Sequence, residues 1–138
     1  MSVLVDTSAW VEFLRATGGP HHLWLRDAIQ REVPLGWTDP ILFELMAGAR
    51  SAESANQLRS LLLRGPVLAL AGLADWEDAA LLYRLARARG LTLRSANDCL
   101  IATVALRTRT RLLSRDRDFE ALAAVSDLML VDPTETPA

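Results

Sequence analysis

Four acidic residues of this sequence stand where an α/β protein can bring carboxylates together. Asp6 ends the short β-branched run SVLV, and Asp116 follows the apolar run RLLS. Glu44 and Asp98 fall near the starts of two segments with helical signals, TDPILFELMAGAR and SANDCLIATVAL. Because the carboxyl ends of parallel strands and the N-termini of the helices share one edge of such a sheet, the four acids are predicted to converge on one cleft.

Carboxylates gathered in one cleft repel each other, so they need a compensating cation to stay ionised together. Hard oxygen ligands without cysteine select Mg²⁺ or Mn²⁺ over zinc. Such an ion can orient and activate a water for attack on a phosphodiester, or stabilise the leaving oxygen. Hydrolysis of phosphodiesters is therefore the reaction that this set of residues favours.

Taken singly, each acid also has a structural interpretation. Asp98 lies three residues after Ser95, which is the spacing of a capping box. Glu44 could be a solvated first-turn acid, Asp6 could cap the next helix, and Asp118 could cap FEALAAV. The acids are therefore more informative jointly than one at a time.

The basic residues of this chain are all arginine and are unevenly distributed. Nine of the fifteen lie between Arg84 and Arg117, a segment that contains only two acids, Asp98 and Asp116. Arg115 and Arg117 flank Asp116 directly, so their guanidiniums could hold phosphates and steer a nucleic acid into the cleft. The alternative is an ordinary solvated helix face, and the sequence leaves both open.

Length and composition narrow the class of protein. With 138 residues, we expect a single domain over residues 1–132 and a flexible tail over 133–138. The single Cys99 permits neither an internal disulfide nor a thiolate zinc site, which favours a reducing, cytoplasmic setting. Neither a signal peptide nor an apolar run long enough to span a bilayer is evident, so we expect no membrane association.

Short apolar runs alternate with helical patterns along the chain. The predicted strands are SVLV, RLLS and DLMLV. VPLGW could form a short strand, against which Pro34 and Gly36 count, and PVLALAG is predicted as a brief strand or an extended piece. Asp39 is predicted to cap a helix with Pro40 at its first position, and CLIATVAL predicts a mostly buried helix. This alternation predicts an α/β fold with a parallel sheet and helices on both faces. We interpret Cys99 and the four tryptophans as core residues, although a tryptophan could instead lie at an interface with a partner. His21 and His22 are interpreted as a pair of surface residues.

Four segments together resemble a known family: VLVDTSAW, FELMAG, SANDCLIATVAL and LLSRDRDFEAL. In order and spacing they look like a PIN-domain ribonuclease, specifically a VapC-type toxin of a bacterial toxin–antitoxin pair. The resemblance implies a three-layer α/β/α fold with a short, mostly parallel sheet. It also implies a Mg²⁺-dependent endoribonuclease, usually a homodimer, that is held inactive by a small VapB-type antitoxin whose C-terminal segment occupies the groove.

The family's acidic quartet matches four positions of this chain: Asp6, Glu44, Asp98 and Asp116. The resemblance implies that Asp6 and Asp98 are the core metal ligands and that Asp116 completes the site. Asp118 matches an additional acid of the DxDF turn, expected to lie behind the ligands. Ser114 fits the small polar position before that turn, where a hydroxyl could orient a carboxylate or a phosphate.

Several competing classes lack a residue that they need. A phosphoreceiver domain needs a lysine in its acidic pocket, and this chain contains none. A haloacid-type phosphatase needs a second aspartate where DTS has serine, and a dinucleotide-binding fold needs a glycine-rich loop after its first strand. The alternative that stays open is a non-catalytic module that binds RNA or protein through the acidic groove and the arginines. Which RNA would be cut is not encoded in any motif of the sequence.

Overall fold

The computed structural model describes residues 2–138. Within that range a small sheet contains three strands: β1 (Val3–Val5), β2 (Leu35–Gly36) and β3 (Arg111–Leu113). The strands are all parallel and lie in the order β2-β1-β3, so β1 is central. Seven helices connect and surround them in the same range: α1 (Thr7–Leu14), α2 (Pro20–Gln30), α3 (Asp39–Ala47), α4 (Ala52–Leu62), α5 (Leu73–Ala88), α6 (Ala96–Thr108) and α7 (Arg117–Ala124).

The central strand is buried on both faces. All three residues of β1 are at most 1% exposed, although successive side chains of a strand point to opposite faces. Both faces of the sheet must therefore be covered by helices, which is the arrangement of buried parallel sheets. Helix α6 is buried without interruption from Asp98 to Ala105, as its apolar composition predicts. The predicted three-layer α/β/α fold is confirmed.

The predicted strand DLMLV is wrong as a regular strand, and PVLALAG takes the extended alternative. PVLALAG and DLMLV each form only one isolated bridge, Trp37 with Val67 and Leu112 with Leu130. In the first segment, Pro66 has no N–H group, and the N–H group of Leu70 donates to Asp39 Oδ1. In the second, Ser126 Oγ accepts the N–H group of Leu128. In these two segments, backbone donors that a longer ladder would need are absent or bound by side chains.

The start of α3 lies one residue earlier than predicted. Thr38 has extended backbone angles (φ −134°, ψ 164°) and is the N-cap, so Asp39 is the first helical residue and Pro40 the second. The carboxylate of Asp39 binds the neighbouring 66–70 segment through Leu70 and is therefore not the capping group. The proline still lies in the first turn, where its missing N–H group costs nothing.

The prediction that Cys99 and the four tryptophans lie in the core holds for most of these residues. Cys99, Trp10 and Trp24 are buried, and Trp37 is half-buried. Trp76 is 54% exposed, so its assignment to the core is wrong. It lies on the outer side of α5, where helical periodicity alone did not separate the buried face from the exposed one.

None of the helices formed by residues 2–138 is long and apolar enough to cross a bilayer. At the C-terminal end, the backbone and hydroxyl of Thr134 donate to Asp132 Oδ1, and Pro137 is buried. The boundary at residue 132 and the flexible tail over 133–138 stay predictions.

Candidate active site

Asp6 lies at the carboxyl end of β1, where the chain turns into α1. It is the N-cap of that helix and is only 4% exposed. Its Oδ2 atom accepts hydrogen bonds from Ser8 N (3.2 Å), Ser8 Oγ (2.7 Å) and Ser114 Oγ (3.0 Å). Burial raises the pKa of Asp6 above its ordinary value, and the donors from Ser8 and Ser114 partly offset that rise.

Ser8 and Ser114 tie Asp6 to the turn that follows β3. Ser8 Oγ accepts the N–H group of Arg115 (2.9 Å), and Ser114 Oγ accepts the N–H group of Asp116 (2.9 Å). A hydroxyl has one proton, and both protons serve Asp6, so the 3.0 Å between the two serine oxygens is a contact without its own hydrogen bond. The predicted orienting role of Ser114 agrees with this geometry, whereas Ser8 was not identified from the sequence.

Asp98 lies in the first turn of α6 and is 5% exposed. Its Oδ2 atom is buried and has no hydrogen-bond partner within residues 2–138. Burial is the main cause that raises the pKa of Asp98, followed by its hydrogen-bonding contact with Asp118 and by the charges of Asp6 and Asp116. An acceptor buried in this way costs free energy unless something binds it.

The capping box considered for Ser95 and Asp98 does not form, although Ser95 still caps the helix. Ser95 is the N-cap of α6, and its Oγ accepts the N–H group of Asn97 (3.2 Å). The N–H group of Ser95, which the third-position acid of a capping box would bind, instead donates to Asp118 Oδ2 (3.2 Å). Asp98 therefore does not act as the capping acid, which was the structural interpretation of this residue.

Asp116 and Asp118 hold the turn between β3 and α7. Asp116 is the N-cap of α7, and its Oδ1 accepts the N–H group of Asp118 (3.0 Å). The helix is therefore capped by Asp116 and not by Asp118, the capping residue considered from the sequence. Asp118 is 3% exposed, and its Oδ2 also accepts the N–H group of Arg94 (2.7 Å). Asp118 therefore fixes the segment before α6.

Three of these carboxylates form a tight group: one oxygen each of Asp98, Asp116 and Asp118 lies within 4.8 Å of the others. The set offers only oxygen ligands, and the buried, unpartnered Asp98 Oδ2 belongs to one of its members. Both properties fit a hard divalent cation of the Mg²⁺ class. The group contains Asp118, which was expected behind the ligands, and does not include Asp6, which was expected among them.

Glu44 approaches the same site from α3. It is half-buried, and its Oε1 accepts a hydrogen bond from Thr7 Oγ1 (3.3 Å) at the start of α1. Burial raises the pKa of Glu44, and the negative charges of Asp6 and Asp116 raise it further. The charges of Asp6 and Asp116 therefore act on both Glu44 and Asp98, as expected for acids that lie near one edge of the sheet.

The family model described as PIN domain matches residues 3–125 of this chain. The chain belongs to the PIN-domain family. This PIN-domain chain is 39% identical over 127 residues to Ribonuclease VapC11 of Mycobacterium tuberculosis, covering 91% of this chain and 95% of that protein. VapC ribonuclease Mb1587 of Mycobacterium bovis matches with the same identity and coverage. The resemblance predicted from the four motifs is confirmed.

Solved structures with similar folds cover nearly the whole PIN-domain chain. VapBC-1 from nontypeable Haemophilus influenzae has a TM-score of 0.75 at 18% identity, covering 98% of this chain and 100% of that one. VapBC2 from Rickettsia felis, bound to a DNA fragment from their promoter, has a TM-score of 0.74 at 18% identity, covering 95% and 98%. At this identity the likeness establishes the fold.

One residue contacts the site of this PIN domain unexpectedly. His21, in the first turn of α2, is half-buried, and its Nε2 lies 3.0 Å from the backbone oxygen of Ser114. A carbonyl can only accept, so the ring nitrogen must donate. The surface-pair interpretation is therefore wrong for His21, while His22 binds its own loop by accepting from Gly18 N (2.9 Å). No sequence motif links positions 21 and 114.

Proposed function

We propose that this PIN-domain chain is the endoribonuclease toxin of a VapBC-type toxin–antitoxin pair and that it cleaves RNA phosphodiesters with Mg²⁺, for which Mn²⁺ could substitute. The family membership supports a ribonuclease. The observation that carries the metal dependence is the group of Asp98, Asp116 and Asp118, one member of which, Asp98, has a buried Oδ2 without a hydrogen-bond partner within residues 2–138.

Asp98 and Asp116 are our first choices as metal ligands, and Asp6 would add its Oδ1, because its Oδ2 already accepts three hydrogen bonds. Asp118 supports the group from behind through the backbone of Arg94 and Ser95. When bound, Mg²⁺ supplies positive charge for the phosphate oxygens and makes water easier to deprotonate.

Glu44 is our candidate for moving the proton. Within residues 2–138 only its Oε1 accepts a hydrogen bond, from Thr7, and its raised pKa favours acceptance of a proton at Oε2. Ser8 and Ser114 keep Asp6 oriented, and the turn after β3 keeps Asp116 beside Asp98. In this scheme the protein contributes mainly fixed orientation, which is the expected contribution of an outer layer of hydrogen bonds around a metal.

The proposed partners follow from the same family membership. A cognate VapB-type antitoxin would inhibit the enzyme in the cytoplasm, and two copies of the chain would form a homodimer. Light scattering of the purified chain, alone and with its co-expressed antitoxin, measures both assemblies directly.

The test of the proposed function is cleavage of total cellular RNA by the purified chain, with Mg²⁺, with Mn²⁺ and with EDTA. We expect discrete fragments that require metal and disappear in Asp6→Asn and Asp98→Asn. Asp27→Asn is the matched control, because Asp27 binds only the neighbouring surface residue Arg31. Sequencing of the fragment ends would identify the RNA and the cleaved bond.

The second candidate is a non-catalytic module that binds RNA or protein through this groove. It would be favoured if folded, metal-loaded and antitoxin-free protein bound RNA without cutting it. Equal cleavage by the Asp98→Asn variant would exclude Asp98 from the proposed ligand set.

A further inference from the structure

A cleft of about 490 Å³ adjoins the acidic site, and arginines from three parts of the chain line it. Arg15 comes from the end of α1, Arg94 from the segment before α6, and Arg115 and Arg117 from the turn after β3. Asp116 belongs both to this cleft and to the carboxylate group, so the two sites are continuous.

The backbones of two of these arginines are held by residues of the acidic site, and the other two lie at helix ends. Arg94 N donates to Asp118 Oδ2 (2.7 Å), and Arg115 N donates to Ser8 Oγ (2.9 Å). Arg117 is the first residue of α7, directly after the cap Asp116, and Arg15 caps the end of α1. The four guanidiniums therefore extend from fixed points around the place where the carboxylates meet.

Their side chains are largely unpaired. Within residues 2–138, the guanidiniums of Arg15, Arg94 and Arg117 form no hydrogen bond or ion pair, and Arg115 makes one contact of 3.3 Å with Glu12. The lining contains four arginines against two acids, Glu12 and Asp116. This excess is local, because the whole chain has a formal net charge of −2.

We propose that this cleft binds the RNA phosphates next to the cleaved bond and that Arg15 and Arg94, together with Arg115 and Arg117, are its contacts. The proposal rests on the proposed ribonuclease function and adds where the substrate backbone lies. Guanidiniums bind phosphate oxygens in pairs, and four of them can hold successive phosphates while the carboxylates bind the metal. The guanidiniums recognise the negative charge and the spacing of the phosphates, so these contacts do not select a base sequence.

The size of the effect follows from counterion release. Each phosphate contact with single-stranded RNA contributes about 0.7 to the slope of log affinity against log salt. Loss of one contact should therefore weaken binding about eightfold at 50 mM salt and about threefold at 200 mM. The decrease between the two conditions distinguishes a phosphate contact from a general loss of structure.

The experiment measures binding of fluorescent single-stranded RNA by anisotropy, using the full chain with Asp98→Asn to prevent cleavage. Arg15→Gln and Arg94→Gln are introduced separately, and Arg59→Gln is the matched control, because Arg59 carries the same charge but lies on α4 away from the cleft. We expect the salt-dependent losses given above for Arg15→Gln and Arg94→Gln and less than a twofold change for Arg59→Gln.

Two results would overturn the inference. Equal effects of all three substitutions would mean attraction by overall charge rather than a cleft. Unchanged RNA binding in Arg15→Gln and Arg94→Gln, with weaker binding of the co-purified antitoxin, would assign the cleft to a protein partner. Cleavage by the otherwise unmodified chain is measured separately, so failure of the cleft and failure of the ribonuclease function are distinguishable.

Discussion

The same substitution at two buried aspartates should change stability in opposite directions. Asp98 and Asp75 are 5% and 1% exposed, but their surroundings differ in charge. Asp98 lies among acids and has a buried oxygen without a partner, whereas Asp75 accepts two hydrogen bonds of 2.9 Å from Arg107. Consistently, the pKa of Asp98 is raised, mainly by burial, and the pKa of Asp75 is lowered, mainly by the Arg107 hydrogen bonds.

Without metal, Asp98→Asn should increase the free energy of unfolding by about 1 to 2 kcal/mol at pH 8. The pKa of Asp98 is raised to about 9, so at pH 8 the folded chain must bind a proton that the unfolded chain lacks, and folding carries that cost. The neutral amide removes this cost and can donate to the neighbouring carboxylates, while an unsatisfied buried acceptor alone costs about 1–3 kcal/mol. For a chain of this length the midpoint of thermal unfolding should rise by about 3–8 °C. Asp75→Asn should lower the free energy of unfolding by about 2 kcal/mol, a reduced value because the side chain of Arg107 is 39% exposed.

The pH dependence has opposite signs for the two sites. A raised folded-state pKa means that stability is lost as pH rises above the ordinary value of 3.8, so the advantage of Asp98→Asn should grow from pH 4 upward. A lowered pKa means that the contribution of Asp75 is present above 3.8 and is lost as pH falls below it. The deficit of Asp75→Asn should therefore shrink in acid.

The assay is thermal and urea unfolding in EDTA from about pH 2 to pH 8, which includes the acid range where the contribution of Asp75 is lost, and in Mg²⁺ from about pH 6 to pH 8. At a Mg²⁺ concentration ten times the dissociation constant, the unsubstituted chain should gain about 1.4 kcal/mol, and Asp98→Asn should gain almost nothing. If Asp98→Asn is less stable than the unsubstituted chain in EDTA at pH 8, the reasoning that the folded chain disfavours the ionised form of Asp98 is refuted.

Three further predictions concern the supports of the site and the fold. Ser114→Ala should weaken Mg²⁺ binding by about 10- to 100-fold, because Asp6 loses a hydrogen-bond donor and the N–H group of Asp116 loses its acceptor. Calorimetry measures this affinity, and an unchanged value would mean that Ser114 does not support the site. Mg²⁺ affinity should fall with decreasing pH by up to about tenfold per unit, because bound metal displaces a proton from the acids with raised pKa; a flat profile between pH 8 and pH 6 would contradict it. Gly65→Ala should unfold the chain at lower urea than Gly90→Ala, because a Cβ at Gly65 would overlap the backbone oxygen of Leu35. A Cβ at Gly90 meets nothing within 4 Å, so the cost there is limited to the backbone strain at its φ of +73°, about 1–2 kcal/mol; equal midpoints would contradict the close approach.

Local sequence signals predicted the elements and the positions of the acids. SVLV and RLLS are β-branched or apolar runs closed by polar residues, and both form strands beside each other. The apolar composition of CLIATVAL predicted a buried helix, and Ser95 caps it. Such signals are sufficient because they depend on propensity, capping and burial, which are properties of neighbouring residues.

The partners of individual polar groups could not be predicted in the same way. Ser114 binds Asp6 across 108 positions, and Asp118 binds the N–H group of Ser95 that a local rule gives to Asp98. Trp37 and Val67 meet at a single bridge because the donors beyond it are bound elsewhere.

Local patterns in the amino-acid sequence were enough to predict the α/β fold class and the carboxylates near the ends of strands and the starts of helices, and the motifs identified the PIN-domain family. Tertiary structure alone decided which carboxylates meet, which are held by hydroxyls, and that Asp98 is left with an unpartnered oxygen. The physical reason is that each donor and acceptor binds whichever group lies within about 3 Å after packing, and packing depends on the whole core at once.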